Sequence, residues 1–147
     1  MSATRVEQTV CGDCGRAVDL YGGQSARHGL RYWAAYRCEH CGGQLEMDGI
    51  GMPPESFRQA LLREEGTWGL DVQALGAHVV LALKCLRAEL GLTLADASAL
   101  KARIPGVVRE GTRVEMEWLR KLLGANGVTS SVVRAGLDGS ESGEPVP

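Results

Sequence analysis

Four cysteines form two pairs whose spacing is typical of metal binding. Cys11 and Cys14 enclose two residues, and Cys38 and Cys41 repeat this arrangement further along the chain. Each Cys-x-x-Cys pair presents two thiolates from one tight turn, and Zn²⁺ prefers four soft ligands at the corners of a tetrahedron. Glycines next to both pairs allow the backbone angles that such turns require. The sequence therefore predicts one structural zinc ion, because four thiolates leave no open position for water or substrate.

Two other roles for these cysteines are disfavoured. A redox Cys-x-x-Cys motif acts at the start of a helix, and neither pair opens a helical pattern. A disulfide framework is not expected either, since the five cysteines are odd in number and the first ten residues do not resemble a secretory signal. His40 lies inside the second pair and could replace a cysteine, but four thiols already complete the shell. We therefore expect His40 to face solvent.

The overall composition is that of a globular protein whose net charge is too small to create a strong electrostatic field. The chain has 147 residues, 44% of them hydrophobic, and a formal net charge of −2. This charge does not favour nucleic acid or an anionic membrane as a partner. The longest apolar run, Val79–Leu83, is far shorter than the roughly 20 residues of a membrane span. A cytoplasmic location is the resulting expectation.

Residues 1–50 are predicted to form a small β-rich zinc ribbon. The segment between the two cysteine pairs reads as a strand over Arg31–Arg37. Arginines interleaved with aromatic residues could bind single-stranded nucleic acid by stacking and phosphate contact. The residues that would do so are Arg31, Tyr32, Trp33 and Arg37. Five arginines against six carboxylates in this region, together with the negative charge of a four-thiolate zinc, make that function the weaker alternative.

The remainder of the chain predicts an α+β fold. Residues 51–66 read as a linker with a short helix that begins near Pro54. Residues 67–135 follow the order strand, helix, helix, strand, helix, strand, which indicates a compact domain of three helices and three strands. Thr112 and Glu115 form a capping box at the start of the last helix. Residues 136–147 are acidic and rich in Gly, Ser and Pro, so we expect them to be disordered.

Five segments of this second domain form a recognisable pattern: Lys84–Arg87, Gly91–Ala97, Ile104–Pro105, Arg109–Gly111 and Leu119–Lys121. On these segments the domain resembles the C-terminal domain of the bacterial ribosomal stalk protein of the large subunit. The resemblance covers about residues 67–134 and implies that the helices pack on one face of the sheet. The family's N-terminal dimerisation helices and hinge are absent from this sequence.

The resemblance also implies a protein-binding surface. In the stalk family the first two helices of this domain recruit translation GTPases. Ala95 and Ser98 stand where the family pattern has lysines, so part of the basic surface is missing. Trp118 is a further candidate contact, because Trp is frequent in interface hot spots. The matching positions on the first helix are Val80, Leu83, Lys84 and Arg87.

No catalytic constellation is apparent in the sequence, so an enzyme is not expected. The favoured function is a protein–protein interaction module, an adaptor or regulator, that contacts translation factors or the ribosome. An immunity protein that neutralises a cognate toxin is an alternative, because fold does not decide function. Nucleic-acid binding through the ribbon is the second alternative.

Overall fold

The computed structural model describes residues 3–73 and 76–135. The chain divides into two compact units, Met1–Glu65 and Gly66–Pro147. Across the described residues the fold is mixed α+β, with seven strands in two antiparallel sheets and four helices. The predicted disordered tail at 136–147 lies outside the described residues. No helix in the described part of the chain combines the length and the apolar character needed to cross a membrane.

The first unit is a four-stranded antiparallel sheet followed by one helix. Its strands lie in the order β1-β2-β3-β4, so that each strand pairs with the next one along the chain. Of these strands, only the third was assigned residue by residue from the sequence. The elements are β1 (Thr4–Val10), β2 (Ala17–Ser25), β3 (Arg31–Arg37), β4 (Gln44–Ile50) and α1 (Glu55–Glu65).

The helix α1 packs on one face of this sheet. Phe57, Ala60 and Leu61 of the helix are buried together with apolar side chains from the first three strands. The Phe57 ring lies so close to Gly22 of β2 that a Cβ at Gly22 would come within 2.5 Å of the ring atom Cζ. The helix predicted for the linker is therefore packed on the sheet of the first unit. This side of the sheet is called the helix face below.

The second unit follows the strand and helix order expected from the sequence. Its three strands are antiparallel in the order β6-β5-β7, with β5 in the centre. The expected fold description counts three helices, all of which lie in this unit, and α1 of the first unit is the fourth. The elements are β5 (Trp68–Val72), α2 (Ala77–Leu90), α3 (Leu94–Lys101), β6 (Gly106–Gly111), α4 (Arg113–Ala125) and β7 (Ser130–Arg134).

Local signals at the helix ends explain where the helices of the second unit begin and end. The predicted capping box at α4 is present, since Thr112 accepts a hydrogen bond from the backbone N–H of Glu115 and the Glu115 carboxylate accepts one in return. Thr93 and Asp96 form the same arrangement at α3. Gly91 ends α2 in a left-handed conformation with φ 64°. Such caps satisfy backbone groups that a helix end leaves unpaired.

The core of the second unit lies between the helices and one face of the sheet. Leu70 and Val72, alternate residues of β5, are fully buried against α2 and α4. Trp68, two residues before Leu70 on the same strand, also packs against this core. Cys85 is half-buried against this core. The buried residues are Leu70, Val72, Ala82, Leu86, Val108, Met116, Leu119, Leu123 and Val128.

Candidate metal centre

The four cysteines predicted to bind metal come together at one end of the first unit. Their sulfur atoms all lie within 4.8 Å of one another. The Sγ atoms of Cys11 and Cys41 are 3.5 Å apart, and those of Cys14 and Cys38 are 3.6 Å apart. These distances exclude disulfides, whose sulfur atoms are separated by about 2.05 Å. The cysteines are therefore positioned to bind a metal ion.

The two cysteine turns have the same backbone geometry. The Cys11 N–H donates to the Arg16 carbonyl, and the Cys38 N–H donates to the Gly43 carbonyl, both at 2.8 Å. Gly15 and Gly42 occupy equivalent places with φ of 76° and 77°, a left-handed conformation that favours glycine. Gly15 donates to the Cys11 carbonyl and Gly42 to the Cys38 carbonyl. Each turn thus directs one buried and one exposed cysteine at the same point.

Tyr36 of β3 holds the first cysteine turn in place. Its hydroxyl oxygen accepts a hydrogen bond of 2.9 Å from the backbone N–H of Gly12. Its ring packs against a small buried cluster of Cys11, Val18 and Cys38. This role of Tyr36 was not predicted from the sequence. Its place two residues before the second cysteine pair is the only signal that the sequence offers.

His40 is exposed and does not belong to the sulfur cluster. Its Nδ1 atom lies 3.4 Å from the Arg16 guanidinium. The expectation that four thiols complete the ligand set, with His40 outside it, agrees with this arrangement. The exposed Asp13 carboxylate lies next to Gly43, so a Cβ at Gly43 would displace the end of the Asp13 side chain.

Backbone N–H groups lower the pKa of one cysteine in each turn. The N–H groups of Cys14 and Asp13 bring the pKa of Cys11 down from 9.0 to about 7. The pKa of Cys38 is also lowered, chiefly by the N–H of Cys41. A thiolate is the form of cysteine that ligates metal, so hydrogen bonds that stabilise it also prepare these sulfurs for ligation.

The other cysteine of each turn has a raised pKa. The N–H of Gly43 lowers the pKa of Cys41, but hydrogen bonding with Cys11 and partial desolvation outweigh it and raise the value to about 12. The pKa of Cys14 is raised too, because desolvation and its neighbouring thiols outweigh the N–H of Arg16. In the free thiol form these two cysteines therefore keep their protons at neutral pH. A bound cation would displace those protons.

The sulfur geometry fits a tetrahedral zinc ion. Zinc–sulfur bonds of about 2.3 Å in a tetrahedron place neighbouring sulfurs about 3.8 Å apart. The Cys11–Cys41 and Cys14–Cys38 sulfur distances, at 3.5 and 3.6 Å, agree with that spacing to within a few tenths of an ångström. Four sulfur ligands also match the preference of zinc for soft donors at closed structural sites. Such an ion would cross-link the turn before β2 to the turn before β4.

Comparisons with protein families, with curated proteins and with solved structures each gave no match for this chain. The likeness of residues 67–134 to the ribosomal stalk domain therefore remains a prediction from the quoted segments.

The four residues proposed for nucleic-acid stacking do not share one face of the ribbon sheet. The Tyr32 ring lies on the helix face, where it meets the Phe57 ring edge to face with centroids 5.8 Å apart. Trp33 follows Tyr32 in β3, so it projects from the opposite face and lies against Gly23. Arg31 and Arg37 lie an even number of residues from Trp33 in β3, so they project from the same face as Trp33, and both are exposed. Only three of the four residues are thus placed to contact one ligand.

The residues proposed for partner binding lie on α2 and α4. Val80 is 59% exposed, and Lys84 lies one turn further along α2, also exposed. Leu83 is half-buried. Arg87 is exposed, and its Nε donates a 3.2 Å hydrogen bond to the Leu92 carbonyl, so it also stabilises the end of α2.

Trp118 of α4 is half-buried and packs against the core of the second unit. Leu94, the first residue of α3, is 72% exposed, although the sequence analysis did not select it. An exposed leucine that begins a helix gives no local signal that distinguishes it from a core position.

Proposed function

We propose that this chain is a non-enzymatic protein–protein interaction module in which a zinc ribbon is joined to a stalk-like binding domain. The cysteines would hold one zinc ion, and the zinc would stabilise the fold of the first unit. The binding surface would be the exposed side of α2, with Val80, Lys84 and Arg87 at its centre. The resemblance suggests translation factors or the ribosome as the partner.

The observation that carries this proposal is the exposure of an apolar side chain beside two cations on α2. Val80, Lys84 and Arg87 are separated by four and three residues, so they lie along one side of the helix. Isolated exposed apolar residues are common, but an apolar residue flanked by charges is a frequent centre of a protein interface. The cations would steer an acidic partner toward the surface, and Val80 would be buried on contact.

The experiment uses charge changes that leave the core of the second unit untouched. Val80→Asp combined with Lys84→Glu alters two exposed side chains and spares Arg87, whose hydrogen bond to Leu92 supports the helix end. Partners of the tagged full-length chain are identified by affinity purification and mass spectrometry from the native cell. The same partners are then measured against the purified variant. We expect affinity to fall at least about tenfold, because central interface residues each contribute more than about 1 kcal/mol.

Arg63→Glu serves as the control for charge reversal, since Arg63 is exposed on α1 and its substitution reverses one cation just as Lys84→Glu does. Far-UV circular dichroism should show that both variants fold. Equal binding of the partner to the α2 variant and to the wild type would refute the surface assignment. If extracts from which ribosomes have been removed yield the same partner in the same amount, the partner does not come from the ribosome.

A further inference from the structure

The fourth strand of the ribbon, β4, lies at one edge of the sheet. Within residues 3–73 and 76–135 it pairs only with β3. The outer side of an edge strand presents a row of backbone N–H and C=O groups that a further strand can pair with. Such edges in natural proteins are usually short, covered or twisted away. A seven-residue edge strand is long enough to accept another strand.

The exposure of β4 differs from that of the opposite edge. Six of its seven residues are exposed, and only Gly49 is partly buried. Three of the exposed residues are large and apolar, with Leu45 at 41%, Met47 at 43% and Ile50 at 79%. On the opposite edge, α1 packs against β1, and Val6 is buried there. Helix α1 therefore packs beside the edge strand β1, whereas no helix of the first unit packs beside β4 among the described residues.

The side chains at positions 45–48 of β4 alternate between apolar and acidic. Met47 is opposite Ala34 and Leu45 is opposite Tyr36, so both project from the helix face. Glu46 and Asp48 project from the other face, where they are opposite Ala35 and Trp33. Ile50, opposite Arg31 at the end of the strand, lies on that second face as well. An incoming strand would therefore meet Leu45 and Met47 on one face, and two carboxylates followed by Ile50 on the other.

The carboxylates of β4 have no cationic partner in the ribbon. Among the described residues, neither Glu46 nor Asp48 forms an ion pair within 4.0 Å. Glu46 also lines a surface cleft of about 630 Å³, together with Tyr21. Three carboxylates line this cleft against one arginine and one histidine. These charged residues are Asp19, Glu39, Glu46, Arg37 and His40.

We propose that β4 is a docking edge for an extended segment of a partner protein in which apolar and basic residues alternate. The segment would pair with the backbone of β4 and continue the sheet as a fifth strand. Its apolar side chains would cover Leu45 and Met47, and its basic side chains would face Glu46 and Asp48. The Tyr21 ring offers a further contact for a cation in the cleft. This surface lies on the first unit and is independent of the α2 surface.

A second copy of the chain is the less favoured occupant, because of charge. In an antiparallel pairing of two β4 strands centred on Met47, Glu46 faces Asp48 of the second copy. Centring on Glu46 or on Asp48 places the same carboxylate opposite itself. Like charges directly opposite one another destabilise a strand pair. A basic segment replaces that repulsion by attraction.

The test measures the binding of a defined peptide to the full-length, zinc-loaded chain. The probe is a fluorescein-labelled peptide that alternates valine and arginine and has the same seven-residue length as β4. One control peptide alternates valine and glutamate, and another has the valines and arginines in separate blocks. Fluorescence anisotropy should show binding of the alternating basic peptide, and at least about tenfold weaker binding of both controls.

Variants of β4 separate strand pairing from simple charge attraction. Glu46→Lys with Asp48→Lys should reverse the preference between the arginine and glutamate peptides, whereas Glu64→Lys with Glu89→Lys should not. Glu46→Gln with Asp48→Asn preserves side-chain shape and removes the charge, so it should weaken binding of the arginine peptide. Backbone N-methylation of one alternate set of peptide residues should abolish binding, because it blocks the ladder hydrogen bonds.

Three results would overturn the proposal. One is equal affinity for the alternating and block peptides, and another is binding that no pattern of N-methylation reduces. The third is sedimentation of the wild-type chain as a dimer that Met47→Ser dissociates, since this would identify a second copy as the occupant.

Discussion

At the metal centre, each turn contributes one cysteine whose thiolate is stabilised and one whose proton is retained. The pKa of Cys11 is lowered to about 7 by backbone N–H groups, and the pKa of Cys41 is raised to about 12. The two sulfurs are 3.5 Å apart, so one can donate its proton to the other. A cation that binds all four sulfurs must remove the retained protons, which links metal binding to pH.

We predict that the apparent zinc affinity rises with pH between about pH 6 and 8. Protons and zinc compete for the same sulfurs, so lower pH favours the free thiols and loss of the ion. Each proton released contributes about a tenfold change in affinity per pH unit. Cys41 at least must release a proton throughout this range, since its pKa is about 12. Competition with a chromophoric zinc chelator at several pH values measures the slope.

Cys85→Ser is the control for this measurement, because Cys85 lies outside the sulfur cluster. It should leave the slope and the one-to-one stoichiometry unchanged, whereas Cys14→Ser should weaken binding. An affinity that does not vary with pH would contradict a site whose thiols must lose protons before they bind zinc.

At the scale of single residues, the sequence predicts the cysteine cluster but not the side chains that hold it in place. Two identical spacings with adjacent glycines predict the turns, because each turn is determined by residues within five positions of one another. The contact of Tyr36 with Gly12 joins residues 24 positions apart and depends on the register between strands. No local pattern encodes such a distance. The same limit applies to the fit of Phe57 against Gly22.

At the scale of elements, helices were easier to predict than strands. In the second unit α3 and α4 begin at capping boxes, α2 ends at Gly91, and α2 and α4 have buried residues at helical spacing; all of these signals are local. The strands β1, β2 and β4 were missed for two physical reasons. Adjacent glycines, Gly22 and Gly23, interrupt the pattern of β2 at the point where Phe57 and Trp33 pack against it. The strand β4 has no buried face, so its alternation of apolar and acidic residues does not resemble that of a core strand.

The helix α1 should stabilise the ribbon through Phe57. This ring is 4% exposed and contacts the helix face of the sheet, so Phe57→Ala leaves a cavity between helix and sheet. We expect the free energy of unfolding of the first unit to fall by about 3–5 kcal/mol. Leu62→Ala on the same helix is the matched control. Leu62 is only partly buried, so the loss should be smaller.

Denaturant titration of the zinc-loaded chain, monitored by two-dimensional NMR of the first-unit amides, measures the loss of unfolding free energy in both variants. Similar losses in the two variants would show that α1 is held by its helical propensity rather than by the packing of Phe57. The hydrogen bond from Thr4 Oγ1 to Glu65 Oε2, at 2.8 Å, joins the opposite end of α1 to β1 and should persist in the Leu62 variant.

At the scale of the whole molecule, the two units differ in what stabilises them. The second unit has a core of nine buried residues drawn from its strands, its helices and the turn before β7. The first unit has two smaller buried clusters, one under α1 and one beside the cysteines. A unit of this size buries too little apolar surface to be stably folded without a metal, disulfides or a partner. Its four cysteines are all free thiols, so metal ligation is the available cross-link.

Removal of zinc should therefore unfold the first unit and leave the second folded. Metal binding in small sites supplies folding free energy on the order of 10 kcal/mol, and chelation would withdraw it from the cysteine turns alone. The measurement follows amide resonances of both units during titration with a strong chelator. Signals of residues 3–65 should collapse toward random-coil positions, while those of residues 76–135 should keep their dispersion. Zinc added back should restore the first set, and Cys11→Ser should reproduce the collapsed state without chelator. Retention of the native first-unit spectrum after complete loss of zinc would show that the α1 cluster alone sustains the sheet, and that the ion has another role.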